Sequence, residues 1–375
     1  MYTHSKKKCS LKLIFLIYFF QIRIQIQAQD VYTHTSDSYI YIEGKFTSTD
    51  KDAKLVTNPW PFLFSEVKYL LAGVEIDNCR DVGYVSLLKG LASNNTADMN
   101  ELQVAGWHSK DQLLSKNDGN ICACIPLRNL LGFAEDYKKV IINTKQELVL
   151  FRSGTDNNLF IGKNGSFELK KIIWKLAHVV VSDPIKLNML KKIHKPIQIA
   201  FRSYELHIQP SLKSTNVDYW SVRTSTQLEK PRFMIIGLQT DRHDKMEKDN
   251  CKFDAATIRN IKLFLNSESY PYDKQNLNFS TGHYALAYKD YADFQSKFYG
   301  RANDPMMSID TYKENPIFIL DSSKQIETIK EGAVDIHLEL ESNSVFPANT
   351  NVYCLIIHDT LVEYNPLDGT VHRYI

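Results

Sequence analysis

Over most of this chain apolar and polar positions alternate one for one, and the spacing changes to a helical three-to-four only after Gly282. The alternation is clear at Ile22, Ile24 and Ile26, through SYIYIEGKFTS from Ser38, and at Val67, Tyr69 and Leu71. It returns at Ile121 to Ile125, Glu147 to Arg152 and Phe167 to Val181, where Trp174 and His178 sit among apolar neighbours. The second half repeats it in PIQIAFRSYELHI, DYWSVRTS, RFMIIGLQTD, at Ile261, Leu263 and Leu265, and in PIFILDSS, AVDIHLELES and VYCLIIHDTLVEYNP. Turn-forming Asn, Ser, Asp and Pro residues punctuate these runs, and the prolines around Trp60 force an extended entry into the strand that follows. Tyr284, Ala287, Tyr288, Tyr291, Phe294 and Phe298 predict one long helix. Pro184 opens a short one through Met189 and Leu190. Asp77 to Asn100 reads as a long polar excursion whose one apolar cluster is Val85 to Leu91. The result is an all-β chain of about fourteen to sixteen strands, the profile of paired sandwiches or jelly rolls. Helices do not alternate with strands, so parallel βαβ units are excluded.

The alternation also repeats on a larger scale. SEVKYLLAGVEI, Ser65 to Ile76, lies on RNIKLFLNSESY, Arg259 to Tyr270, with Val67, Tyr69 and Leu71 on Ile261, Leu263 and Leu265 and Lys68 on Lys262. This predicts a duplicated β unit.

Composition narrows the partners. A chain of 375 residues with 43% apolar content builds more than one core. Its 45 basic and 43 acidic residues leave a net charge of +2, which gives no overall attraction to nucleic acid or anionic membrane. The basic runs Lys6 to Lys8 and Lys191 to Lys195 read as a terminal tail and a solvated face. The six cysteines, at 9, 79, 122, 124, 251 and 354, form no ligand pattern and read as small core residues in a reducing compartment. Lys6 to Lys8 followed by LKLIFLIYFF has the shape of a signal peptide, with Ala28 as its cleavage residue, and is too short to span a bilayer. Cleavage at Ala28 would discard the alternating strand QIRIQIQAQ, so that strand is assigned to the fold and the first ~20 residues to a divergent, signal-like start. Asn94, Asn164 and Asn278 head N-x-Ser/Thr sequons, which matter only in the secretory pathway.

The chemistry-bearing motifs are missing. Neither phosphate-binding glycine loop occurs, nor does G-x-S-x-G or H-E-x-x-H. Asp241, His243, Asp244 and Glu247 crowd one loop at spacings that match no calcium or zinc loop, and read as solvated. His337, Glu339 and Glu341 share one strand face and read as a polar, solvent- or subunit-facing edge. His358 and Asp359 are adjacent and therefore point to opposite faces. No catalytic, cofactor-binding or metal residue is assigned, and no enzyme activity is expected.

SYIYIEGK, FLFSEVKYLLAGVEID, LLGFAEDYKKVIIN, TSTQLEKPRFMIIGLQTDR, LNSESYPYD with YADFQSKFYG, and PANTNVYCLIIHD with VEYNP resemble the double jelly roll proteins related to the major capsid proteins of Polinton (Maverick) elements and their viral relatives. The resemblance runs from about Gln21 to the carboxyl terminus. It implies two tandem jelly rolls with a few short helices: a signal-like start over 1–20, a first roll over 21–183, a connector helix over 184–195 and a second roll over 196–375. It also implies a structural protein, without cofactor, that forms homotrimers of pseudo-hexagonal outline and higher assemblies, in a virion-like or intracellular location. The signal-like start and the sequons point instead to a secreted β-sandwich that binds a ligand or glycan.

Overall fold

The computed structural model describes residues 6–10, 20–27, 32–107, 118–142, 144–192, 195–224, 231–266, 268–324 and 334–374, with the side chains of 6–10, 190 and 192 excepted. The apolar run 11–19 and Ala28, read above as signal-like, lie outside these residues.

Eight strands form a first roll: β1 (Lys6–Ser10), β2 (Gln21–Ile26), β3 (Tyr32–Thr47), β4 (Phe64–Leu71), β5 (Val74–Arg80), β6 (Asn120–Pro126), β7 (Gln146–Arg152) and β8 (Ser166–Val179). They pair in the orders β1-β8-β3-β6 and β2-β7-β4-β5. Eight more follow: β9 (Ile197–Gln209), β10 (Val217–Val222), β11 (Pro231–Thr240), β12 (Ile258–Leu265), β13 (Glu268–Tyr270), β14 (Ile317–Asp321), β15 (Ile336–Ser342) and β16 (Thr350–Tyr364). Their orders are β9-β16-β11-β14 and β10-β15-β12-β13. In rank the two sets are identical: first-eighth-third-sixth in one sheet and second-seventh-fourth-fifth in the other. That order is the jelly roll, two interlocked Greek keys, and the chain contains it twice. The final strand, β17 (Val371–Tyr374), adds to β16.

The duplicated strings fall on the same hairpin of each roll. β4 and β5 are joined through Ala72 and Gly73, both with positive φ, as a two-residue hairpin requires. β12 and β13 are joined at Asn266, also left-handed and matched to Ala72 by the alignment. Val67, Tyr69 and Leu71 are buried on β4 and Ile261, Leu263 and Leu265 on β12, while Lys68 and Lys262 stay half-exposed.

Three longer helices interrupt the strands: α1 (Val82–Ser93), α2 (Asp183–Lys192) and α3 (Ala285–Tyr299). α3 is the long helix the spacing predicts; it buries Ala287, Tyr291, Phe294 and Phe298 and ends at Gly300 in the left-handed conformation. The expected polar excursion is corrected. Asp77 to Arg80 complete β5, and α1 is buried on every side, including Ser86 and Lys89. A helix enclosed all round shows no amphipathic period, which is why only Val85 to Leu91 signalled it.

The chain forms two compact units that are discontinuous in sequence. One comprises Met1–Gly83, Val104–Tyr204 and Asp359–Ile375, the other Tyr84–Gln103 and Glu205–His358. In the first, Tyr69, Trp174, Phe133 and Leu148 are fully buried around a polar centre: Gln146 Nε2 donates to Thr33 Oγ1 at 2.5 Å, and Gln146 Oε1 accepts from the Tyr69 hydroxyl at 2.8 Å. In the second, the Tyr291 hydroxyl donates to the Leu91 carbonyl of α1 at 3.0 Å and accepts from the Met307 amide at 3.0 Å.

Candidate assembly surfaces

The residues singled out as candidate chemistry do not converge. In the loop after β11, Asp241 pairs with Lys245 and with Lys248 at 2.6 Å, and these ammonium groups hold its carboxyl down at about 2. His243 is engaged elsewhere: its Nδ1 lies 3.2 Å from the Tyr84 hydroxyl and 3.1 Å from that of Tyr353, and its ring stacks on Tyr84. Among the described residues no group of three His, Cys, Asp or Glu is arranged to hold a metal ion. His358 is buried and Asp359 exposed, on opposite faces of β16 as expected. The core reading holds for Cys79, Cys251 and Cys354 and is corrected for the pair on β6. Ala123 and Ile125 take the inward positions there, so Cys122 is exposed and Cys124 half-exposed.

The exposed sheet faces carry most of the remaining organisation. His337, Glu339 and Glu341 point outward from β15 while Ile336, Leu338 and Leu340 are buried. Register places Tyr219 of β10 opposite Glu339, and Glu339 opposite Lys262 of β12. Lys262 Nζ donates to the Tyr272 carbonyl at 3.0 Å. Glu341 accepts from Lys274 Nζ at 2.6 Å and Asn260 Nδ2 at 2.7 Å; the Lys274 contact leads in holding its carboxyl below the usual range. Tyr219 on β10 and Tyr272, just past the end of β13, are 70% and 85% exposed.

The counterpart of the Tyr219-Glu339-Lys262 row on the first roll runs through Arg23, Val149 and Lys68 on β2, β7 and β4. Beside it Glu147 is buried beneath Arg23 at 2.8 Å and Lys145 at 2.8 Å. Burial alone would raise that carboxyl, but Lys145, Arg23 and Gln25 outweigh it and keep the pKa low. Glu66 likewise accepts from Asn78 Nδ2 at 3.0 Å and Arg80 Nε at 3.2 Å, with Lys68 at 3.4 Å. The sequence reading marked the acid row of β15 and missed the exposed Tyr219 and Tyr272. Alternation in DYWSV is misleading, because the buried member next to Tyr219 is Asp218, held by Gln209 Nε2 at 3.1 Å and the Tyr219 amide at 3.0 Å.

No helix among the described residues is long and apolar enough to cross a membrane. No curated protein matches the chain in sequence. Among solved structures it is similar to PBCV-1 VP54 fitted into a reconstruction of the virophage Sputnik, with a TM-score of 0.64 at 9% identity, covering 100% of this chain and 97% of that one. It is similar to the Faustovirus major capsid protein, with a TM-score of 0.53 at 9% identity over 96% of this chain and 83% of that one. The mavirus major capsid protein gives 0.52 at 9% identity over 100% and 90%. These likenesses are of fold. In sequence, the model of the double jelly roll-like domain matches residues 53–362. With both rolls in the same strand order and that match spanning most of its length, the chain belongs to the double jelly roll-like domain family.

Proposed function

We propose that this protein is a non-enzymatic, capsid-type structural protein that self-associates as a homotrimer of pseudo-hexagonal outline and then into larger shells. The observation that carries the reading is the repetition of one strand order, first-eighth-third-sixth and second-seventh-fourth-fifth, in a single chain. Two similar rolls per chain let three chains present six similar flanks, so a near-sixfold unit forms from a threefold one. The likeness in fold to capsid proteins of PBCV-1, Faustovirus and mavirus supports it. Origin in a Polinton-type mobile element and a virion-like or intracellular location belong to the same proposal. So does the division into a first roll, a connector over 184–195 and a second roll over 196–375, with the expected start of the first roll at 21 corrected by Lys6–Ser10, which pair with β8 and supply its first strand.

Size-exclusion chromatography with light scattering tests it. A trimer mass, with larger particles at high protein concentration, is expected. A monomer at every concentration and salt overturns the reading.

A further inference from the structure

We infer that the end of the first roll from which α2 emerges docks on an anionic lipid surface, with α2 lying in the headgroup layer. The inference does not depend on the assembly reading above.

The exposure of α2 is the first observation. No residue of this helix with a described side chain is buried: Ile185 and Met189 are half-exposed, and Leu187, like Val180 just before the helix, is more than half exposed. A helix of ten residues gains too little from its own hydrogen bonds to persist in water, so its stability comes from what packs on it. Among the described residues nothing encloses α2, and its apolar side chains are what a cover would bury.

Charge identifies the cover. Lys186 and Lys191 of α2 are exposed, as are Lys195 beyond it and Lys138 and Lys139 from another stretch of the chain. The fold gathers them at the end of β8. His34 of β3 stands opposite Ala177, two residues from that end, and its Nε2 donates to the Lys138 carbonyl at 2.9 Å. β1 pairs with the same stretch, Lys6 on Val179 and Lys8 on Ala177. The two basic runs of the sequence, Lys6 to Lys8 and Lys191 to Lys195, thus belong to one end of the first roll. Among the described residues no acid pairs with Lys138, Lys139, Lys186, Lys191 or Lys195. The acids of this end are Asp183, in the first turn of α2, and Asp37, 3.3 Å from His34 Nδ1. Glu135 and Asp136 are taken by the Tyr204 hydroxyl and by Arg202. A chain whose charges nearly cancel overall therefore has a local excess of bases here.

Lysines that flank exposed leucine and valine match an anionic bilayer surface. The headgroups take the ammonium groups, and the acyl boundary takes the apolar side chains. Nucleic acid would use the lysines alone and gain nothing from Leu187. One short helix and a few lysines give attachment that is weak, reversible and sensitive to salt.

Flotation of the full-length protein with vesicles tests this, using phosphatidylcholine alone and phosphatidylcholine with roughly one-third phosphatidylserine. Wild type is expected to float with the anionic vesicles at about 0.1 M salt and not with the neutral ones, and to be released at about 1 M, where screening shortens to ~3 Å. Lys186→Gln/Lys191→Gln and Lys138→Gln/Lys139→Gln are each expected to weaken partition about thirtyfold, since one lysine near such a surface is worth about fivefold. Leu187→Ser is expected to weaken it about tenfold. Melting temperatures should not move, because the altered side chains are exposed. A mobility shift with random-sequence duplex DNA runs alongside. Equal binding to neutral and anionic vesicles, or binding to neither, overturns the inference. Binding to the DNA without binding to vesicles overturns it in favour of a nucleic-acid surface. A folded Leu187→Ser protein that binds as well as wild type overturns the docking of α2. None of these outcomes bears on the trimer mass that tests self-association.

Discussion

At Gly132 one hydrogen atom decides the local packing, because a methyl group in its place would lie 1.6 Å from the Arg202 carbonyl oxygen. That neighbour is backbone, held by Asp136, whose Oδ2 accepts from the Arg202 amide and Nε at 2.8 Å each. Gly132→Ala is therefore expected to lose about 3 kcal/mol of stability, read as a lower urea midpoint at unchanged slope. Glu147 gives a prediction in pH. Its folded pKa is depressed below the unfolded value of about 4.3, so its contribution is present above that pH and lost as pH falls through the folded value. Glu147→Gln should thus be less stable than wild type at pH 7, with the difference shrinking as pH falls below the unfolded value in urea titrations. A difference that does not shrink as pH falls would assign the effect to packing. Neither residue stood out in the sequence: Gly132 looks like any loop glycine, and Glu147 alternates as a surface residue should. Only the strands and loops folded against them give them their roles. The same holds for Cys122, whose exposure follows from the register of β6 on β3 and not from its residue type.

Among the elements, α3 was legible and α1 was not. α3 keeps one wet face, so Tyr291, Phe294 and Phe298 recur at helical spacing. α1 has none, and its Ser86 and Lys89 are as hidden as its leucines. The two helices meet at the Tyr291 hydroxyl, which bonds the Leu91 carbonyl and the Met307 amide. Tyr291→Phe leaves both without a partner and is expected to cost about 2 kcal/mol. Hydrogen exchange should then quicken at the Met307 amide and at the end of α1; unchanged protection there would mean that packing alone secures the pair. The hairpins β4-β5 and β12-β13 were recoverable from sequence because a two-residue period, a lysine and a left-handed turn recur together. β1 was obscured by its lysines, which mask any alternation, although Lys6–Ser10 pair residue by residue with β8.

At the scale of the whole molecule, the compact units draw on separated stretches of chain. The first takes Asp359–Ile375 as well as Val104–Tyr204. Within Val104–Tyr204 lies α2, where Val180 just before the helix and Leu187 within it are 58% and 59% exposed. Trypsin is expected to cut early at Lys186 or Lys191, and the two fragments should still co-elute, because one unit contains chain from both sides of the cut. Fragments that separate under native conditions would show that the distant segments contribute little to holding a unit together. The sequence by itself determined the β class, the doubling, the long helix and the lack of a catalytic motif, since each depends on local periodicity or local spacing. Strand order, the burial of α1 and the outward cysteines were decided only by tertiary structure. Partners such as Lys6 and Val179, or Gln21 and Phe151, lie more than a hundred residues apart, and nothing in a strand's own alternation says which neighbour will cover it.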